Sequence, residues 1–320
     1  MALYTVLDAQ QIAAALAPFG LPPPSQVRPE PRGAVNTGYH VWTGGHRFFL
    51  RVNEGKSEAD LRFEAEVQRY LHAARFPVPE LRTAADGRAW VEVAGKPAML
   101  FTYAPGEELA PGAATAEHCR RVGEQLSRLH ELAAGFEPGR PNPFGPGWVA
   151  DRMRELAAAT DPEAAAALPI FRDELARSAG LPGAPRGLVH GDLFIDNVLW
   201  IGDRISALLD WEMSCVDPLA YDLGVALNAW CWGRAYRADL ARGLVSGYRS
   251  RRKVEPETAA ALHDWSRFAA LRFGGGRLAG YVPRGAGAAP PTGKDWREYR
   301  DRLVALRGMS TSAFAALVGL

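Results

Sequence analysis

At 320 residues the chain is longer than one compact core usually organises, so two lobes or domains are expected. Apolar residues make up 48% of it, and 37 basic against 36 acidic residues leave a scattered charge of +1, with no electrostatic footprint for nucleic acid or an anionic membrane. Three cysteines, Cys119, Cys215 and Cys231, lack metal-site spacing and are a poor disulfide framework in odd number, so a reducing cytoplasm fits best. The first twenty residues do not read as a signal peptide, and no run of eighteen apolar residues offers a spanning helix.

Leu7 to Leu16, apolar at 7, 12, 13 and 16, predicts a short helix that Pro22-Pro23-Pro24 ends. Two β-rich runs, Gly33 to Trp42 and Arg47 to Val52, flank Gly44-Gly45 and predict a hairpin. A helix follows over Ser57 to Ala73, then a second hairpin from Arg88 to Val93 and Ala98 to Tyr103. Pro105, Gly106, Pro111 and Gly112 punctuate the chain next, which puts the lobe boundary between 104 and 105.

Thr115 to Ala133 carries Cys119, Val122, Leu126, Leu129 and Ala133 on one helical face, a stripe that serves as core. Phe136 to Gly147 reads as a Pro/Gly-rich loop. Asp161-Pro162-Glu163 opens a helix with a cap, a first-turn proline and an acid at the positive dipole end. Leu219 to Trp230, Ala235 to Ser250 and Pro256 to Leu271 predict further helices, Gly285 to Pro291 a flexible loop, and Asp295 to Leu317 one closing helix.

Between these helices lies the stretch that carries chemistry. An apolar residue leads into His190-Gly191-Asp192, Asn197 stands five places after Asp192, and Asp210 ends a second apolar run thirteen places after Asn197. Phosphoryl transfer needs a carboxylate to orient the attacking hydroxyl and accept its proton, and oxygen ligands for Mg²⁺ on the phosphates of ATP. Asp192 fits the first role, and Asn197 and Asp210 fit the second. The segments 197–200 and 204–209 predict a hairpin that returns Asp210 beside Asn197. His190 is assigned to orienting the loop.

His190-Gly191-Asp192, Asn197, Asp210 and Asp217-Pro218 followed by Tyr221-Asp222-Leu223 resemble the aminoglycoside phosphotransferase and choline kinase superfamily, which shares the protein kinase fold. Within it, Asp192 to Asn197 and Tyr221 to Cys231 are similar to bacterial homoserine kinases, and so is the end of the chain from Lys294. The resemblance implies an α+β, protein kinase-like two-lobe fold, with a small antiparallel-sheet lobe over 1–104 and a mostly helical catalytic and substrate lobe over 105–320. Asp222 is then the buried support of the catalytic loop, and Asp217 a cap or loop anchor.

The kinase reading gives the first lobe to ATP. Gly33, Asn36, Thr37 and Gly38 lie where a kinase places its phosphate-covering loop, although hairpins also carry glycine for conformational reasons alone. Arg51 takes the place of the phosphate-pairing lysine, with Glu64 as its helix partner and Glu66 as the alternative. Met99, Phe101 and Tyr103 run into the segment that would face an adenine edge. The acceptor is expected to be a small hydroxylated molecule: L-homoserine by resemblance, an aminoglycoside or an amino alcohol otherwise. A zwitterionic acceptor needs a cation and a hydrogen-bond acceptor, with Arg272, Arg277, Asn228 and Glu212 as candidates. Gly274-Gly275-Gly276 departs from the homoserine kinase pattern, weakens a helix and removes side chains that would wall a pocket. A nucleotide-binding pseudokinase is the reading from another class; such chains usually lack the base or a metal ligand, and this one keeps both.

Overall fold

Alternation of side chains builds the first sheet. Strands β1 (Gln26–Glu30), β2 (Thr37–Thr43), β3 (His46–Val52), β4 (Val91–Val93) and β5 (Lys96–Thr102) form an antiparallel sheet in the order β1-β2-β3-β5-β4. Tyr39, Val41, Leu50, Val52 and Leu100 face one way, where helix α1 (Ala9–Leu16) closes a core with Ile12 and Leu16. Met99 and Phe101 face the other way and meet Leu61 and Ala65 of α2 (Glu58–Ala73). Ser57 and Asp60 cap α2 reciprocally, which fixes where it starts. Strand β1 was not expected; its Pro29 suits it to the sheet edge it occupies.

The computed structural model describes residues 5–31, 35–156, 161–281 and 295–320. Two compact units divide them. One runs through Glu107 and adds Leu199–Ile201 and Ser206–Glu212; the other holds Glu108–Val198, Gly202–Ile205 and Met213–Leu320. Gly33, Lys294 and the loop expected over Gly285 to Pro291 lie outside the described residues.

The second unit is helical. It contains α3 (Ala116–Leu132), α4 (Pro146–Glu155), α5 (Pro162–Ser178), α6 (Leu219–Trp230), α7 (Ala238–Arg249), α8 (Pro256–Tyr281), α9 (Trp296–Arg307) and α10 (Thr311–Val318). A short ladder pairs β6 (Arg186–Val189) with Cys215–Pro218, the last strand, β9. Helices α3 and α7 meet backbone to backbone. A Cβ at Gly123 would fall on the Leu244 carbonyl, one at Gly247 on the Arg120 carbonyl, and one at Gly243 would stand 2.5 Å from the Ala116 oxygen.

Three expectations need correction. Helix α8 runs straight through Gly274-Gly275-Gly276 to Tyr281. The space that the missing side chains leave is filled from α4 and α5: a Cβ would stand 2.9 Å from Phe171, 2.9 Å from Met153 and 2.7 Å from Trp148 in turn. These glycines accept packing and do not widen a pocket. The closing helix is two helices, because Gly308 ends α9 and Ser310 caps α10. Helix α4 begins within the tail of the expected loop, at Pro146, where a proline suits the first helical turn.

Candidate active site

In the first unit the sheet presents Arg51 between Gly38 on β2 and Met99 on β5, its register partners. The Arg51 guanidinium donates to Glu64 Oε1 at 2.7 Å, and Glu64 is 1% exposed, while Glu66 faces solvent. Glu64 is therefore the helix partner. Lys56 joins the pair: its Nζ lies 3.1 Å from Glu64 Oε2 and 2.6 Å from Glu212 Oε2. Burial alone would raise the Glu64 carboxyl, but the charges of Arg51 and Lys56 outweigh it and hold the group below its usual range.

Glu212 also accepts from Asn36 Nδ2 at 2.5 Å, and Asn36 Oδ1 accepts from the Glu54 N–H at 3.1 Å. Glu212 thus belongs to this network of the first unit and is not a separate acceptor-binding group. Thr37 is buried, its hydroxyl donating to Glu54 and accepting from the Thr5 N–H. Gly38 also has a packing reason to be glycine. A Cβ there would stand 2.5 Å from the Phe49 ring, so the glycine makes room for an aromatic side chain. Met99 is wholly buried, with its sulfur 3.5 Å from Arg51, and the Phe101 ring lies 5.3 Å from the same guanidinium. Tyr103 stacks on Arg47 at 3.8 Å.

The hairpin of β7 (Val198–Ile201) and β8 (Arg204–Leu208) leads to Asp210. It is pinned where Trp200 and Glu107 exchange backbone bonds, where Ser206 donates to the Pro105 carbonyl and where the Leu208 N–H donates to the Pro77 carbonyl. Trp211 is fully buried against Phe76 and anchors the turn. Asp210 has φ +60°, a left-handed backbone that Asp tolerates better than most residues. Its Oδ1 is buried without a hydrogen-bond partner and stands 4.0 Å from Arg51. Burial and the neighbouring Glu212 raise its carboxyl to about 7, against the opposing charges of Arg51 and Lys56. An orphaned oxygen at which negative charge is disfavoured is the donor that a divalent cation would satisfy.

In the second unit, the loop after β6 is built on Asp222. Its Oδ2 accepts the His190 N–H and its Oδ1 the Gly191 N–H, each at 2.9 Å. Gly191 has φ +74° and lies against the Met213 carbonyl, 2.9 Å from where a Cβ would be, so only glycine fits. Behind Asp222 stand His130 of α3, with Nε2 at 3.1 Å, and Tyr248 of α7, whose hydroxyl is 2.8 Å from His130 Nδ1. Burial would raise the Asp222 carboxyl, but the hydrogen bond and charge of His130, with His190 and the Gly191 N–H, hold it below its usual range. His190 is fully buried and its Nδ1 accepts the Asp192 N–H at 3.3 Å. Asn197 Nδ2 donates to the Asp192 carbonyl at 2.7 Å and to Asp192 Oδ2 at 3.3 Å, so its Oδ1 is the amide atom suited to a cation.

Of the remaining acceptor candidates, Asn228 is 0% exposed, donates to the Ser266 carbonyl and accepts from the Tyr236 hydroxyl. Both ends of its amide hold the second unit together, which removes it from the acceptor set. Arg272 is 4% exposed beside Met213, and Arg277 stacks on Tyr299 at 4.6 Å and donates to the Asp295 carbonyl.

A family model described as "Phosphotransferase enzyme family" matches residues 26–254. The chain belongs to that phosphotransferase family. Among its relatives, homoserine kinase of Beijerinckia indica subsp. indica is 34% identical over 312 residues, covering 95% of each chain. Homoserine kinase of Sinorhizobium fredii is 32% identical over 323 residues, covering 98% of this chain and 97% of that one. Among solved structures, an amicoumacin kinase in complex with AMP-PNP, Ca²⁺ and Ami aligns with TM-score 0.72 at 16% identity, over 91% of this chain and 92% of that one. A microcompartment-associated aminopropanol kinase aligns with TM-score 0.66 at 19% identity, over 97% and 99%. The phosphotransferase therefore has the α+β, two-lobe kinase-like fold, and it is an ATP-dependent enzyme acting on a hydroxyl group. Three partners in its site were not legible beforehand: Lys56, His130 and Tyr248.

Among the described residues no helix is long and apolar enough to cross a membrane.

Proposed function

We propose that this phosphotransferase is a homoserine kinase, converting L-homoserine and ATP to O-phospho-L-homoserine and ADP on the route to threonine. The observation that carries the reading is likeness over nearly the whole length of both chains to proteins named homoserine kinase, at 32–34% identity. Antibiotic and aminopropanol kinases share the fold at under 20% identity, which supports the fold and not their acceptors.

In this reading the lobe of 1–104 takes the nucleotide and that of 105–320 the acceptor. Arg51, kept in place by Glu64, pairs with the phosphates. Asp192, held by Asn197 and by the loop that Asp222 braces, orients the homoserine hydroxyl and accepts its proton. Asn197 Oδ1 and the Asp210 carboxylate would hold Mg²⁺, whose charge offsets that of the phosphates. A coupled assay of ADP release over homoserine, other hydroxy amino acids, choline, methylthioribose, sugars and aminoglycosides tests it. Homoserine is expected to have the highest kcat/KM; a better acceptor among the others overturns the substrate. ATP binding without ADP from any of them would favour the pseudokinase.

A further inference from the structure

We infer that Arg272 is the cation that takes the α-carboxylate of the acceptor and so makes this phosphotransferase select amino acids over amino alcohols. The inference rests on the homoserine reading above and deepens it. Arg272 is 4% exposed, yet its guanidinium lies among groups without charge. The Phe273 ring is 3.9 Å away and the Phe144 ring 4.5 Å, and one terminal nitrogen points at the Met213 sulfur at 2.8 Å. Its Nε is buried with no hydrogen-bond partner, and among the described residues no ion pair to it is present. Cys215 and Tyr221 are near enough to feel its charge, but burial raises both well above their ordinary values and they stay neutral.

A buried cation without an anion is costly, and two aromatic faces and a thioether offset only part of that cost. The position calls for an anion that arrives from outside. Its place in the fold says which. Met213, which touches Arg272, is the residue whose carbonyl lies against Gly191, next to Asp192. Phe273, beside Arg272 in sequence, meets Phe194 of the same loop with ring centroids 4.8 Å apart. The guanidinium is therefore one side chain away from the loop that carries Asp192. Homoserine spans about 5 Å between its carboxylate carbon and its hydroxyl oxygen by ordinary bond lengths, a molecule of the right size to bridge such a gap. A thioether is a weak acceptor on a flexible chain, so a carboxylate displaces it readily and meets the planar fork with two hydrogen bonds. Arg277 is the lesser candidate because it is partly exposed and already donates to the Asp295 carbonyl.

The test compares L-homoserine with L-homoserine amide, which lacks the charge, and with 3-aminopropan-1-ol, which lacks the carboxylate. Wild-type enzyme is expected to favour homoserine over both by about 100-fold in kcat/KM, the range of two charge-assisted bonds. Arg272→Met, chosen because its side chain suits the apolar surroundings, is expected to lose that preference through homoserine KM, keeping the KM for ATP and turnover of 3-aminopropan-1-ol. If Arg272→Met does not fold, the wild-type ratios still decide: equal use of acid and amide overturns the assignment. Arg272→Met that keeps the preference overturns it too, as does Arg277→Gln that loses it instead. No ADP from homoserine with wild-type enzyme overturns the substrate reading itself, a result distinct from homoserine and its amide reacting equally.

Discussion

Asp222 binds the Gly191 N–H at 2.9 Å through one carboxylate oxygen, and that bond sets the backbone one residue before Asp192. Its other oxygen binds the His190 N–H, so a single buried carboxylate fixes two consecutive amides. Asp222→Ala leaves both without a partner and His130 without its acceptor. Stability is expected to fall by about 3 kcal/mol, in the range for breaking a buried charged network, and kcat by about 10²-fold as Asp192 drifts. Because the Asp222 carboxyl is held below its ordinary value of 3.8, its contribution is complete above that value and disappears as pH falls through the folded one. Urea midpoints at neutral and acid pH check both points, with Asp222→Ala losing less than wild type on acidification.

Asp192→Asn should leave urea midpoint and ATP binding close to wild type and lower ADP release by about 10²- to 10⁴-fold, the usual contribution of a positioned proton acceptor. Unchanged turnover would sink the role given to Asp192. Its hydrogen bond from Asn197 Nδ2 survives the substitution in kind, since an amide oxygen also accepts.

Asp210 moves stability the other way with pH. Its carboxyl is raised from 3.8 to about 7, so the folded protein binds this proton more tightly than the unfolded chain does. In metal-free buffer the contribution favours folding at acid pH and diminishes as pH rises from about 4 to about 7. Asp210→Asn removes the titration. Its urea midpoint should vary less than that of wild type across the window, and its activity should require more Mg²⁺. Parallel pH profiles for the two proteins would contradict the assignment.

Gly274→Val introduces a Cβ 2.9 Å from the Phe171 ring in a helix that is otherwise regular. Overpacking of this kind costs about 1–3 kcal/mol, more than the gain in helix propensity returns. A fall in thermal midpoint with unchanged KM for homoserine and ATP is the expected result. A raised KM for homoserine alone would restore these glycines to the wall of the acceptor pocket.

What could be read from the sequence was what its spacing carries locally. The start of α2 after Ser57, the Asp161 cap and the five-residue step from Asp192 to Asn197 each act within one or two turns of chain. Other features depend on partners that no spacing joins. His130 meets Asp222 across 92 residues and Tyr248 across 118, and Asn36 meets Glu212 across 176. The glycines of α8 misled for the same reason. Their weak helix propensity is local, whereas Trp148, Met153 and Phe171 come from helices more than 100 residues earlier. Asn228 and Glu212 had the right chemistry for a zwitterion, and only the structure shows that their polar atoms are already engaged.

The backbone contact of α3 with α7 bears on how such an enzyme tolerates change. Where side chains separate two helices, a larger residue on one is absorbed by a smaller one on the other; at Gly123, Gly243 and Gly247 each neighbour is a carbonyl group that every amino acid shares, so no compensating partner exists. The same two helices bring His130 to Tyr248 beneath Asp222. In a library of all single substitutions scored by growth, these three glycines should be as silent of survivors as Asp192, although none of them meets a substrate.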